Sequence, residues 1–564
     1  MRVYGDRVRT ATARQLLAEL RARLADVVHL PPGVVRHAGL AGAFVAAGEL
    51  LQGVADADLQ ASGVDEPSAA QDEAGRILMI LAHAVAMSWD SGFADLSAVD
   101  LPDLPALEAL GDARLTCKVA EGYAYYAVYP EAFYEAARAA GWSAPPQVIG
   151  LRSIGGGLAA MAAAGAGAQA LATLRPVGEP FARRVVPGER LRGQLLADLG
   201  GDFAVVDEGP GLSGSSFGCV GDLLEDAGVA PAQITFLPSH GGSPGPMASS
   251  RHRERWRGAR RVWRDLDDIA VRNGRLERWV ADLVGPLEAP LEDISGGGWR
   301  RLRASDAPAT PGLERRKFLA RTASAAWLLK FVGLGADGEA RAARAAALAH
   351  RGFSPQTLGL RHGFLVERWH DEAAQPDFAD RDRLIDTLSR YIAFRAEAFP
   401  ASAEDGASLA ELVDMARVNL GEALGEGRAA EIVGPAARLA AQDLRPRWIH
   451  VDGRLHPWEW LQLPGGALLK TDAVDHSRAH DLVGCQDPAW DVAGAEVELG
   501  LSGAEAAELV RRMARLGVAV DPRLLEVYRL CYPAFQLGLW AMAGDGAAEV
   551  LARYAAALRE PAHA

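Results

Sequence analysis

The residues with the clearest chemical potential lie in Ala204–Phe217, AVVDEGPGLSGSSF. An apolar run, Phe203–Val206, ends in adjacent carboxylates, Asp207 and Glu208. A loop of Gly, Pro and small hydroxyl residues follows, and then a helical pattern over Val220–Ala227. Strand, acidic pair, anion-cradling loop and helix, in that order, suit a ribose bearing a phosphate. The carboxylates accept from vicinal ribose hydroxyls and stabilise positive charge as the C1 bond breaks, while loop amides at the helix N-terminus meet the phosphate. Ser213, Gly214, Ser215 and Ser216 are the phosphate donors in this reading. Upstream, Arg152, Ser153 and Ile154 lead into Gly155, Gly156 and Gly157, whose amides approach an oxyanion closely because no Cβ intervenes. Arg175, Arg183 and Arg184 offer charge to a departing pyrophosphate. His240, in Ser239–Pro246, is the acceptor-side candidate for proton transfer.

A second set has the order that phosphoryl transfer from ATP requires: a Gly-rich cover, a lysine on the phosphates, an Asp at the nucleophile and acidic metal ligands. Ser295, Gly296, Gly297 and Gly298 are the cover. Lys330 lies inside an apolar strand pattern, Ala325–Val332. A buried ammonium there requires a partner, and Glu339 in the following helical pattern is the expected one. Phe364–Trp369, which contains Glu367, reads as the hinge beside adenine. His450-Val451-Asp452 precedes Leu455-His456-Pro457, Leu468–Asp475 carries Asp472, and Gln486-Asp487-Pro488-Ala489-Trp490-Asp491 follows.

Over about residues 110–250 the first set resembles the type I phosphoribosyltransferases, whose signature is an apolar strand, an acidic pair and a Ser/Thr-Gly loop that binds phosphoribosyl pyrophosphate (PRPP). The resemblance implies that Asp207 and Glu208 hold the ribose, Ser213–Ser216 the 5′-phosphate and Arg152–Gly156 the pyrophosphate. The loop GPGLSGSS is longer by a residue than the usual family pattern. Over about residues 285–560 the second set looks like the aminoglycoside-phosphotransferase and choline-kinase type of kinase. That likeness implies ATP and Mg²⁺, with Asp452 catalytic, Asp472 on the metal, and Asp487 and Asp491 in a segment that braces the loop. Gly453 and Arg454 look inserted. The family's metal-binding Asn is absent, and Glu459, a carboxylate able to bind Mg²⁺, falls near its place.

Strand patterns at Leu115–Val128, Gln147–Leu151, Ala168–Arg175, Phe203–Val206 and Gln233–Pro238 alternate with helical ones. They imply a parallel α/β sheet with ligands at the carboxyl ends of its strands. Residues 1–98 read as helical, with apolar Leu16, Leu17, Leu20, Leu24 and Val27 at helix spacing, and serve as a packing or dimerisation layer. Residues 99–250 form the phosphoribosyltransferase-like domain and 251–284 an Arg-rich helical linker. Residues 285–564 form a bilobal protein-kinase-like α+β domain, opening with a strand–Gly turn–strand over Leu291–Arg303. The fold class expected is therefore α/β multidomain.

At 564 residues, 49% apolar and 23% charged, the chain has the material for several cores. A net charge of −14 argues against bulk nucleic-acid binding. The Arg- and Trp-rich stretch Arg251–Trp279 has interleaved Asp265, Asp267 and Asp268, which favour a solvated connector over an RNA face. Four cysteines without ligand spacing, no signal peptide and no uninterrupted apolar run of about 18 residues point to a cytoplasmic chain acting on small molecules. The function expected is a two-centre transferase. It combines a PRPP-using or PRPP-forming centre with an ATP-dependent kinase of a small hydroxyl compound. The competing classes are a nucleotide- or PRPP-binding regulatory protein and an RNA-modifying protein.

Overall fold

The apolar stripe near the N-terminus is the first element to find its partner. Thr12 caps the helix Ala13–Val28 in a capping box with Gln15, and Leu16, Leu17, Leu20, Leu24 and Val27 are all buried. The computed structural model describes residues 7–95, 97–309, 314–477, 482–543 and 547–558. The helix Val34–Ser62 packs between Ala13–Val28 and Ala69–Asp90. It is long and apolar enough by composition to cross a membrane, which the expectation from uninterrupted runs did not register, but 67% of its apolar window is buried inside the protein. The N-terminal region is not wholly helical: strand β1 (Val8–Thr12) pairs antiparallel with β2 (Arg114–Lys118).

The expected parallel sheet is present, but without Leu115–Val128, which begins in β2 and continues into the short helix Glu121–Ala124. Strands β3 (Gln147–Leu151), β4 (Leu171–Leu174), β7 (Phe203–Val206), β8 (Ile234–Leu237) and β9 (Arg260–Arg261) run in the order β4-β3-β7-β8-β9. A small hairpin, β5 (Val177–Glu179) with β6 (Ala182–Arg184), lies outside it. Period-two alternation makes this sheet a wall between two cores. Ile149, Leu151, Phe203 and Val205 face Phe217, Val220 and Trp256, and Val148, Ala204 and Val206 share a core with Leu158 and the N-terminal helices.

Arg251–Trp279 is not one helical linker. It divides into the helix Ser250–Gly258, the edge strand β9, a π-helical turn Asp267–Val271 and the helix Arg275–Val284. Arg255 there is tied to Asp222 and Glu225.

The C-terminal half begins with an antiparallel sheet of β10 (Glu292–Asp293), β11 (Lys317–Arg321), β12 (Ala326–Phe331), β13 (Thr357–Arg361) and β14 (Phe364–Trp369), in the order β10-β11-β12-β14-β13. The helix Gly335–His350 intervenes between β12 and β13. Phe318, Ala320, Leu329, Phe331, Phe364 and Val366 are buried in the core they share with the N-terminal helices. Alternation then turns Lys317, Lys330 and Glu367 to the other face. A helical lobe follows, with helices including Arg381–Ala398, Leu409–Leu424, Ala489–Glu498 and Pro522–Ala541. A short hairpin of β15 (Trp460–Gln462) and β16 (Leu468–Lys470) closes the junction. This is the bilobal arrangement implied by the kinase resemblance.

The expected strand–turn–strand at Leu291–Arg303 does not form. Beyond β10 the glycines make a turn into the four-residue helix Arg300–Arg303. Gly296 and Gly297 sit at φ 57° and 85°, where glycine alone carries no Cβ penalty.

Candidate active site

A cavity of about 690 Å³ separates the sheet from the helical lobe, lined among others by Lys317, Glu367, Glu459, Asp472, Asp475 and His476. Lys317 and Lys330 are direct partners across β11 and β12. Asp472 bridges them, at 2.9 Å from Lys317 Nζ and 3.1 Å from Lys330 Nζ. Lys330 also meets Asp475 at 2.8 Å and Glu367 at 3.8 Å. Burial opposes its charge, but Asp475, Asp472 and Glu367 outweigh that and hold the ammonium above the ordinary lysine range. The same lysines overcome burial at Asp472 and keep that carboxyl well below its usual value. Asp472 has φ 52°, a left-handed backbone that aspartate tolerates better than most residues.

Asp452 stands on the opposite side of this junction, fully buried. The Tyr391 hydroxyl donates to its Oδ2, and Lys470 Nζ lies 3.4 Å from Oδ1. Lys470 reaches Glu459 Oε2 at 2.7 Å as well. Tyr391 and Arg395 stand one turn apart on Arg381–Ala398. Arg395 donates to the carbonyls of His450, Val451 and Ala473, clamping the loops that carry Asp452 and Asp472. Asp491 accepts the amides of Asp452 and Gly453, both at 2.9 Å, and Asp487 accepts those of Arg447 and Ala489. The expected bracing segment thus holds the loop by main-chain hydrogen bonds. One ligand atom each of Asp452, Glu459 and His476 lies within 4.8 Å of the others. His476 Nδ1 is buried without a hydrogen-bond partner among the described residues. Burial, together with Arg454 and Lys470, keeps that imidazole neutral, the form in which histidine binds metal.

Several expected residues fall elsewhere. Glu339 is not the partner of Lys330: it pairs with Arg23 of the first helix, at 3.1 Å. Ser295 exchanges hydrogen bonds with the Lys317 backbone, fixing β10 to β11, and Ile294 and Trp299, not Gly296–Gly298, face the cavity. Phe364–Trp369 is a central strand rather than a hinge, so Glu367 reaches the lysines from the sheet. Lys317, Lys470, Asp475 and His476 were not anticipated. Their signal was a charge in or beside a short apolar run, as in Leu468-Leu469-Lys470.

In the parallel sheet, the chain passes from β3 out to β4 and then back to β7 on the other side of β3. Such a switch point opens a crevice at the carboxyl ends of β3 and β7. Arg152–Gly156 follows β3, and Asp207 and Glu208 follow β7. A Cβ on Gly155 would stand 2.7 Å from the Val206 carbonyl and 3.4 Å from Asp207 Oδ1, so glycine lets the Gly155–Ala166 helix abut the acidic pair. Burial pushes Asp207 up to about 7 and Glu208 up to about 8. His240 lies over Gly209 beside them, its Nδ1 accepting from the Gly242 amide, and burial lowers its pKa.

Not every expected PRPP ligand is free for that role. Arg152 is buried and paired with Asp56, at 2.9 Å, and with Asp65. Arg175 is held by Asp56 and donates to the Arg152 carbonyl. Both guanidinium groups fasten the N-terminal helices to the sheet. Arg183 and Arg184, on exposed β6, form no ion pair among the described residues. Ser213 and Ser215 bond to each other at 2.8 Å, and both approach the Pro180 carbonyl at the tip of the β5–β6 hairpin.

No protein-family profile and no curated protein matches the chain. Among solved structures, it is similar to choline kinase LicA from Streptococcus pneumoniae at 14% identity and TM-score 0.35, over 51% of this chain and 99% of that one. A choline/ethanolamine kinase family protein from Mesorhizobium loti is similar at 18% identity and TM-score 0.34, over 52% of this chain and 96% of its own. A spectinomycin phosphotransferase solved with ADP and spectinomycin is similar at 12% identity and TM-score 0.34, over 51% of this chain and 95% of its own.

Proposed function

We propose that the interlobe cavity binds ATP and transfers its γ-phosphoryl group to a hydroxyl of a small molecule. The observation that carries this reading is the pair Lys317 and Lys330, side by side on the cavity face of the sheet with Asp472 between them. Phosphoryl transfer is catalysed chiefly by positioning and charge, and these lysines meet β- and γ-phosphate oxygens. The donors at the junction suit a divalent cation: Glu459 and His476, whose Nδ1 has no hydrogen-bond partner among the described residues, cluster with Asp452, and Asp472 lines the same cavity. Bound there, Mg²⁺ supplies charge neutralisation on the phosphates. Asp452 accepts the substrate hydroxyl's proton, but only after Lys470 swings off its Oδ1.

That same contact favours a second reading, a nucleotide-binding regulatory protein in which Lys470 keeps the centre closed. Incubation with γ-labelled ATP, Mg²⁺ and a panel of small hydroxyl compounds separates the two. Label transfer that Asp452→Asn abolishes supports the kinase. ATP binding seen by calorimetry, with no transfer to any compound, supports the regulator.

We further propose that the β3/β7 crevice takes the ribose 5-phosphate part of PRPP, with Asp207 and Glu208 on the ribose hydroxyls and Arg183 and Arg184 on the pyrophosphate. The switch-point position of the acidic pair supports this. The phosphate must displace the Pro180 carbonyl from Ser213 and Ser215. Titration with PRPP tests it: binding that Asp207→Asn with Glu208→Gln weakens at least tenfold is expected, and unchanged binding overturns the assignment.

A further inference from the structure

Three distant parts of the chain meet at a second, fully enclosed cluster. His37 comes from the Val34–Ser62 helix, Glu131 from the helix Pro130–Ala140 and His362 from the turn between β13 and β14. All three side chains are 0% exposed. Nε2 of His37 lies 2.8 Å, and Nε2 of His362 3.2 Å, from the same oxygen, Glu131 Oε1. His37 Nδ1 meets the Ser88 hydroxyl at 3.0 Å, which directs the other ring nitrogen at Glu131.

Two features are not explained by hydrogen bonding within the cluster. Neither nitrogen of His362 has a hydrogen-bond partner among the described residues, although Nε2 is so close to Glu131, and Glu131 Oε2 has none either. The shell is apolar and aromatic: Phe93 stands 4.4 Å from His37 by ring centroid, and Tyr129 and Trp279 each 5.0 Å from His362. A carboxylate in such a shell requires a compensating cation, and no Lys or Arg pairs with Glu131 among the described residues. His362 also occupies a hairpin turn with φ 42°, followed by Gly363 at φ 90°. Asn or Gly ordinarily fills that first position, so a histidine there carries a backbone cost.

The geometry points to a divalent transition metal of zinc's chemical class, bound by Nε2 of His37, Nε2 of His362 and both carboxylate oxygens of Glu131. Two imidazoles and one carboxylate are ligands that such a metal accepts. With no exposed ligand atom the site is structural. It fastens the N-terminal helices, the helix leading into the parallel sheet and the antiparallel sheet to one another.

The test uses the full chain grown with Zn²⁺ and dialysed free of loose metal. Because Asp452, Glu459 and His476 form another candidate cluster, metal content is measured in parallel on His476→Ala. One equivalent of metal is expected in His476→Ala and none in the double variant His476→Ala with His362→Asn, whose asparagine suits the turn. Prolonged chelation should lower the Tm of His476→Ala and leave that of the double variant unmoved, and Co²⁺ replacement in His476→Ala should give the visible spectrum of a nitrogen- and oxygen-ligated ion. If the double variant fails to fold, the chelation response and the Co²⁺ spectrum of His476→Ala decide. A metal-free His476→Ala protein whose Tm ignores Zn²⁺, or metal retained by the folded double variant, overturns the proposal and leaves a hydrogen-bonded His–Glu–His cluster.

Discussion

Lys470 is the residue on which the proposed kinase centre turns. Its ammonium lies between Asp452 and Glu459, where two carboxylates would otherwise invite a cation. Lys470→Met removes the ammonium that the two buried acids share, leaving Asp452 only Arg395, at 3.7 Å, as a cation among the described residues, which should cost about 3–5 kcal/mol, read as a lowered urea midpoint. Added Mg²⁺ or Mn²⁺ should then raise the midpoint of the variant more than that of the parent. An equal response in both would show that the ammonium holds no cation's place. A second residue-scale expectation concerns Asp207 and Glu208, raised from 3.8 to about 7 and from 4.5 to about 8. Between about pH 4 and 8 the folded chain keeps protons that the unfolded chain has released. The stability contribution of the pair is therefore full below about pH 4 and is lost as pH rises through those values. Asp207→Asn with Glu208→Gln should flatten this part of the Tm-against-pH curve.

At the scale of elements, close approach decides as much as charge. The helix Gly155–Ala166 reaches the acidic pair because Gly155 has no side chain. Gly155→Ala forces a methyl to within 2.7 Å of the Val206 carbonyl. That should cost about 1–3 kcal/mol and weaken PRPP binding together with stability, measured by urea unfolding and by titration. The β5–β6 hairpin shows the opposite effect: its Pro180 carbonyl sits where two serine hydroxyls converge, so it must move before an anion enters.

At the scale of the whole molecule, the N-terminal helices are neither a separate layer nor a free dimerisation surface along their buried face. They share one core with the parallel sheet and with Phe318, Leu329, Phe331, Phe364 and Val366 of the antiparallel sheet. A fragment starting at residue 285 would expose that sheet face to water. At about 25 cal/mol per Å² of apolar surface, the loss should make the fragment aggregate or bind a hydrophobic dye, while the full chain remains soluble. A monomeric, soluble fragment with a native-like unfolding transition would show that the shared core is dispensable.

The sequence by itself determined what repeats along the chain. Apolar runs and helical patterns marked Phe203–Val206, the Ala13–Val28 helix and most of the strands, because burial is written in local composition and spacing. The acidic pair, Lys330, Asp452 and Asp472 were legible because each breaks or ends an apolar run. Only the tertiary structure decided their partners. Lys330 meets Asp472 and Asp475 instead of Glu339, Arg152 and Arg175 turn to Asp56 and Asp65, and Lys470 occupies Asp452. Pairing energy falls off with distance in space, and residues well separated along the chain carry no mark of which face will bring them together. Strand order and the packing of the Gly335–His350 helix against Val34–Ser62 set those distances.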